Sequence, residues 1–193
     1  MTTDPTEEDR RLAIAAGGGD RHAFEQLVWR HKGALYRLAR RYVGDADEAY
    51  DIVQETFVSA WLALRRFDPR QSFNGWLRTI ALNKCRDHGR RRAVRRRVMR
   101  LFALDPAATA QSPATDSERE RDEESQRRLQ RLDQAVAALP RLYKEPLLLT
   151  TVGALTQQEA ARVLRTTTKA VEMRIRRART RLIETLGNGT QIE

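Results

Sequence analysis

The chain has 193 residues, with 36 Lys and Arg against 26 Asp and Glu and a formal net charge of +10. That length holds one or two small domains with real cores, and the charge favours a polyanionic partner, most commonly nucleic acid. A single cysteine, Cys85, excludes an internal disulfide framework, and no segment reads as a membrane span or a signal peptide's apolar middle, so a cytoplasmic protein without membrane insertion is expected.

Residues 1–19, polar and acidic at MTTDPTEEDRR, read as an N-terminal tail. From Ala23 to Tyr42, the residues Phe24, Leu27, Val28, Leu35, Leu38, Ala39 and Tyr42 recur at three- and four-residue steps, the period of an amphipathic helix. Gly44-Asp45 breaks that helix, and Asp45 or Asp47 can cap the next. In DEAYDIVQETFVSAWLAL one face carries Ala49, Ile52, Val53, Thr56, Phe57, Ala60, Trp61 and Leu64. The opposite face carries Asp47, Asp51, Gln54 and Glu55. Pro69 pushes its predecessor out of helical space, so Phe67 to Gln71 is a loop. Ser72 can cap a third helix with Phe73, Trp76, Leu77, Ile80 and Ala81 inward.

That helix runs straight into a basic block: Lys84, Arg86, Arg90, Arg91, Arg92, Arg95, Arg96, Arg97 and Arg100, with Asp87 as the sole acid. Duplex contact explains arginines but not the aromatic stretch before them. Single-stranded DNA explains both, because exposed bases enter apolar or stacking pockets while the backbone follows positive charge. Trp76 is either a wedge between bases or, by burial habit, a core residue. Asn83 could offer its amide to a base edge.

All aromatics but Tyr143 precede residue 103. The stretch DPAATAQSPATDSERERDEE that follows has no apolar period and carries seven acids against Arg119 and Arg121, so it reads as a flexible acidic linker. Beyond it, Leu139 to Val152 forms one apolar helix, with Pro140 suited to its first turn. Pro146 predicts a kink or a later start. Thr156 and Glu159 have capping-box spacing ahead of Ala160, Ala161, Val163 and Leu164. Arg165-Thr166-Thr167 makes a turn, and Thr167 or Thr168 caps a last helix to about Leu186. Its inward set is Val171, Ile175, Ala178, Leu182 and Leu186.

A short helix, a three-residue turn and a basic helix form a helix-turn-helix. The major groove, about 12 Å wide, admits one helix whose N-terminal residues meet base edges. Thr168 opens that helix, and Lys169, Glu172, Met173 and Arg176 are candidate base readers. Arg174, Arg177 and Arg179 are candidate phosphate contacts. No stretch alternates with period two, so the expected fold is all-α: two small helical domains joined by the acidic linker. The divisions are 1–19 (tail), 20–103, 104–124 (linker) and 125–193. No heptad or spare apolar seam suggests a homo-oligomer.

A catalytic reading finds little footing. Cys85 and His88 stand at i and i+3 but lack a third orienting group. His22, His31 and His88 give no zinc spacing, and the glycines at 17–19 lack a phosphate loop's lysine pattern. No catalytic residue, metal or cofactor is expected. A stand-alone helix-turn-helix activator or repressor would use the last third and leave DIVQETF and the aromatic-to-basic helix without a task.

Four segments in order resemble a bacterial RNA polymerase sigma factor of the extracytoplasmic-function (ECF) group of the sigma-70 family, from about Asp20 to Leu186. They are AFEQLVWRHKGALYRLARRYVGDADEAYDIVQETFVSAW, FNGWLRTIALNKCRDHGRRR, LPRLYKEPLLL and LTQQEAARVLRTTTKAVEMRIRRARTRL. The resemblance implies that Asp47, Asp51, Gln54 and Glu55 dock on basic clamp helices of the polymerase β′ subunit. It implies a −10 loop from Phe67 to Ser72 that captures a flipped base, Arg70 and Gln71 included. Asn83, Lys84 and Asp87 would meet the non-template strand, in the block that holds Trp76 and reads the −10 element, and Arg90 to Arg97, beginning with Arg90 and Arg91, the upstream backbone. The second domain would read the −35 element, and the linker would thread the RNA exit path. Core polymerase (β and β′), promoter DNA and an anti-sigma factor are the implied partners. Three positions depart from the pattern: Arg165 and Ala154 stand where glycine is usual, and Glu172 where Lys or Arg is frequent. An acid there would accept from a cytosine amino group.

Overall fold

The structure, a computed structural model, describes residues 5–101 and 117–187. Among them are eight α-helices and no strand: α1 (Pro5–Gly17), α2 (Arg21–Val43), α3 (Ala46–Ala63), α4 (Phe73–Leu101), α5 (Ser117–Ala138), α6 (Arg141–Thr151), α7 (Gln157–Val163) and α8 (Thr168–Gly187). A 3-10 turn, Leu64–Arg66, closes α3.

Caps set most of these boundaries. Asp20 caps α2, its Oδ1 accepting from the Ala23 N–H at 3.0 Å. Gly44 ends α2 in the left-handed region at φ 83, where its N–H reaches Arg40 O. Asp45 then caps α3, accepting from the Glu48 N–H at 2.9 Å. Ser72 begins α4, its Oγ accepting from the Gly75 N–H at 3.3 Å. The first unit buries Leu27, Leu35 and Leu38 of α2, Ala49, Ile52 and Phe57 of α3, and Phe73, Leu77 and Ala81 of α4. The second buries Leu147, Leu148 and Leu149 of α6 against Ala160, Ala161, Val171, Ile175 and Ala178.

Three expectations change. The stretch read as a tail contains α1, whose Leu12, Ala13 and Ala16 are buried. Glu7 and Glu8 favour its first turn through the helix dipole. Asp9, also buried, meets Arg30 Nε at 2.6 Å and His31 Nε2 at 2.8 Å on α2. Second, α5 begins at Ser117, inside the stretch read as linker. Glu, Arg and Gln are strong helix formers, so SERERDEESQ needs no apolar period to stay helical. The linker's remainder, residues 104–116, lies outside the described residues. Third, α6 begins at Arg141 with Pro140 as its N-cap residue instead of in its first turn, and Pro146 lies inside it, so the later start is not taken. A proline inside a helix costs about 3 kcal/mol, and burial of three consecutive leucines offsets that cost.

Candidate nucleic-acid interface

The helix-turn-helix forms as its sequence requires. The Glu159 N–H donates to Thr156 Oγ1 at 3.2 Å, and the Thr156 N–H to Glu159 Oε2 at 2.9 Å, a complete capping box on α7. Thr167 caps α8, its Oγ1 accepting from the Ala170 N–H at 3.1 Å. Between them Arg165 takes the left-handed conformation at φ 51, and Ala154, ahead of α7, does so at φ 54. Both positions where glycine was expected thus keep the geometry that glycine would supply.

On α8, Val171, Ile175 and Ala178 are buried, while Lys169, Glu172, Met173, Arg176, Arg177 and Arg179 are exposed. Leu186, expected inward, is exposed, because residues 183–187 stand clear of the core. A concave surface of about 630 Å³ gathers Lys169, Glu172, Met173, Arg176 and Arg179 of α8 with Thr150, Thr151 and Gln157. Arg179, assigned to phosphate, therefore shares the surface of the candidate base readers. Arg174, half-buried, and Arg177 lie outside it. Sequence reasoning passed over Gln157, although its place at the start of the first helix, the one that crosses the DNA backbone in this motif, was the available signal.

In the first unit, Phe67, Phe73 and Trp76 form a ring cluster, with Phe67 centred 5.7 Å from Phe73 and 5.2 Å from Trp76. Phe67 is buried and Trp76 half-buried, so Phe67 supports the 67–72 loop from beneath. At its tip Arg70 folds onto Asp68, Nε to Oδ1 and Nη2 to Oδ2 both at 3.0 Å. Those hydrogen bonds hold the Asp68 carboxyl below its ordinary pKa. Gln71 is exposed, and the Ser72 hydroxyl is occupied by capping.

Along α4, Asn83 is exposed and accepts from Arg86 Nη1 at 3.1 Å, while Asp87 pairs with Arg90. The basic block is laced to α3. Glu55 lies 3.4 Å from Lys84 and 4.0 Å from Arg91. Glu48 lies 3.3 Å from Arg92 and 3.6 Å from His88. The side chains of Arg96, Arg97 and Arg100 lie outside the described residues. Asp47, Asp51, Gln54 and Glu55 are all exposed along one side of α3, with Glu55 shared between that stripe and the cations of α4.

An exposed recognition helix and a second helical unit, with a cationic helix and an exposed acidic stripe that meet at Glu55, define a helix-turn-helix DNA-binding protein of two parts. The family model for Sigma-70 region 2 matches residues 27–95, and that for Sigma-70, region 4, residues 129–182. The RNA polymerase sigma factor CnrH of Cupriavidus metallidurans is 39% identical over 93% of this chain and 94% of its own length. NccH of Alcaligenes xylosoxydans xylosoxydans is 39% identical over 93% and 95%. The solved structure of CnrH in complex with the cytosolic domain of CnrY covers 94% of this chain and 98% of that one, at a TM-score of 0.70 and 35% identity. RpoE in complex with the anti-sigma factor NepR, from Bartonella quintana, covers 85% and 96%, at a TM-score of 0.65 and 25% identity. The chain belongs to the sigma-70 family of bacterial RNA polymerase sigma factors, in its ECF group. It is an alternative sigma factor that directs transcription initiation, and the stand-alone activator or repressor is not favoured.

Proposed function

We propose that the chain docks on core RNA polymerase through Asp47, Asp51, Gln54 and Glu55. In this reading residues 20–103 open and read the −10 element and residues 125–193 read the −35 duplex, joined by the acidic stretch 104–124. The observation that carries the reading is the exposed stripe Asp47, Asp51 and Gln54 on α3, suited to basic clamp helices and continued by Glu55, which it shares with the cations of α4, together with the exposed basic face of α8. Arg70 and Gln71 of the loop and Trp76, Asn83, Lys84, Asp87, Arg90 and Arg91 of α4 act at the −10 strand, with Phe67 and Ser72 holding the loop. Thr168, Lys169, Glu172, Met173 and Arg176 meet −35 bases, and Arg174, Arg177 and Arg179 its phosphates. The protein acts in the cytoplasm as an initiation factor without catalysis of its own. An anti-sigma factor restrains it, a reading supported by relatives solved with CnrY and NepR.

Pull-down with core polymerase and run-off transcription from the chain's own promoter test this together. Asp51→Lys should weaken core binding at least tenfold while its helical circular dichroism stays unchanged. Asn83→Ala should bind core normally and lose strand opening, read by permanganate footprinting. Equal loss of both functions in each variant would refute the division of labour.

A further inference from the structure

Glu172 is an acid set among cations. On the exposed face of α8 it lies between Lys169 and Arg176, and all three share the concave surface with Arg179 and Gln157. A Glu with an Arg one turn further on is the order that favours an ion pair within a helix. Among the described residues, however, Glu172 makes no ion pair and its carboxylate accepts no hydrogen bond. Two hydroxyls on the same surface are committed inward, Thr150 to the Pro146 carbonyl at 2.9 Å and Thr151 to the Leu147 carbonyl at 2.7 Å.

We infer that Glu172 selects the −35 sequence by requiring the amino group of a cytosine, and that Arg176 takes a guanine about two base pairs from it. The inference rests on the assignment of α8 to the −35 duplex above. A carboxylate has no donor, so it is repelled by phosphate and by the O6 and N7 of guanine and the O4 of thymine. The major groove offers it a donor only at cytosine N4 and adenine N6, and adenine sets its N7 acceptor beside that amino group. Cytosine is therefore the base whose edge matches a carboxylate. The guanidinium of Arg176, which Glu172 leaves unpaired, is free to fork onto guanine O6 and N7. From Glu172 to Arg176 the helix rises about 6 Å, close to two steps of B-DNA at about 3.4 Å each.

The same acid lowers affinity for every other sequence. A Lys or Arg in its place would neutralise one more phosphate and steepen the salt dependence by about one unit of slope. Glu172 forgoes that gain, and a base without an amino group leaves its carboxylate desolvated and unpaired. Both effects fall on wrong sequences, so discrimination rises as general affinity falls. One good base contact separates the right base from the wrong ones by roughly 5- to 150-fold.

Holoenzyme assembled from core polymerase and the full chain, selecting among duplexes of the chain's own promoter with a randomised −35 element, tests this by sequencing of the bound and unbound pools. Wild type should prefer a C·G pair at one position by roughly 5- to 150-fold. Glu172→Ala should flatten that position to under about threefold and leave the others selective. Glu172→Gln should move the preference there to A·T, because an amide pairs with adenine N6 and N7. Arg176→Ala should flatten a G·C pair about two base pairs away, with circular dichroism confirming the helix content of each variant. A Glu172→Ala profile identical with wild type, a flattened position that is not C·G, or a Glu172→Gln holoenzyme that stays on C·G overturns the role of Glu172. No effect of Arg176→Ala, or one several base pairs away, overturns the pairing of the two bases. If wild type selects nothing within the −35 element while it still opens the promoter, the −35 assignment itself fails.

Discussion

Arg165 and Ala154 hold left-handed backbone at φ 51 and φ 54, conformations that cost an L-residue roughly 1–2 kcal/mol. Glycine removes that cost but adds freedom to the unfolded chain. Arg165→Gly and Ala154→Gly should each therefore stabilise by about 0.5–1 kcal/mol, seen as a higher urea midpoint at unchanged slope. Midpoints that fall would mean the side chains contribute contacts worth more than the strain. Gly153, next to Ala154, is constrained by space instead of torsion. A Cβ there would sit 2.6 Å from the Leu149 carbonyl oxygen and 3.0 Å from its Cα. Gly153→Ala should cost about 1–3 kcal/mol by overpacking, and a urea midpoint equal to wild type would refute the clash. Sequence alone marked Ala154 and Arg165 as departures, but only backbone angles show that the turns kept their shape.

At the scale of elements, α1 depends on one buried carboxylate. Burial pushes the Asp9 pKa up, but hydrogen bonds and charge from His31 and Arg30 outweigh it and hold the group below its ordinary value. A pKa lower in the folded than in the unfolded chain stabilises fully above the unfolded value, near 4, and that stability is lost as pH falls through the folded value. Acid should therefore loosen α1 from α2 below about pH 4. Asp9→Asn should lose about 1–3 kcal/mol at neutral pH and flatten this part of the acid profile. Chemical denaturation at a series of pH values checks it, and parallel profiles for variant and wild type would remove Asp9 from the account. Pro5, Glu7 and Glu8 suit a first turn, but the apolar stripe of this helix is only Leu12, Ala13 and Ala16, and Asp9 looks like a surface acid until Arg30 and His31 meet it. Where long stripes and caps coincide, as at Asp45, Gly44 and the Thr156–Glu159 box, the elements were legible residue by residue.

Across the whole molecule, the recognition helix and the acidic stripe were legible because each is local, written within one helical period. The junction between units was not, since Glu145 lies 59 positions from Arg86 and 103 from Tyr42, and no spacing rule links them. Cys85 shows what that junction does to chemistry. It is fully buried in α4, and burial, followed by the charge of Glu145, pushes its thiol up to about 12. Only the thiolate reacts, so at pH 8 its reactive fraction falls on the order of a thousandfold below that of a free cysteine, before any steric block. Folded chain should react with a disulfide reagent such as DTNB at least that much more slowly than unfolded chain, which argues against redox sensing by this thiol in the folded chain. The shift also has a direction in pH. Raising pH from 7 to 9 should increase the rate about tenfold per unit without a plateau, because the titration midpoint lies well above that range. A plateau near pH 8.5 would reveal an ordinary thiol exposed to solvent, and with it a junction that is not packed in solution as it is here.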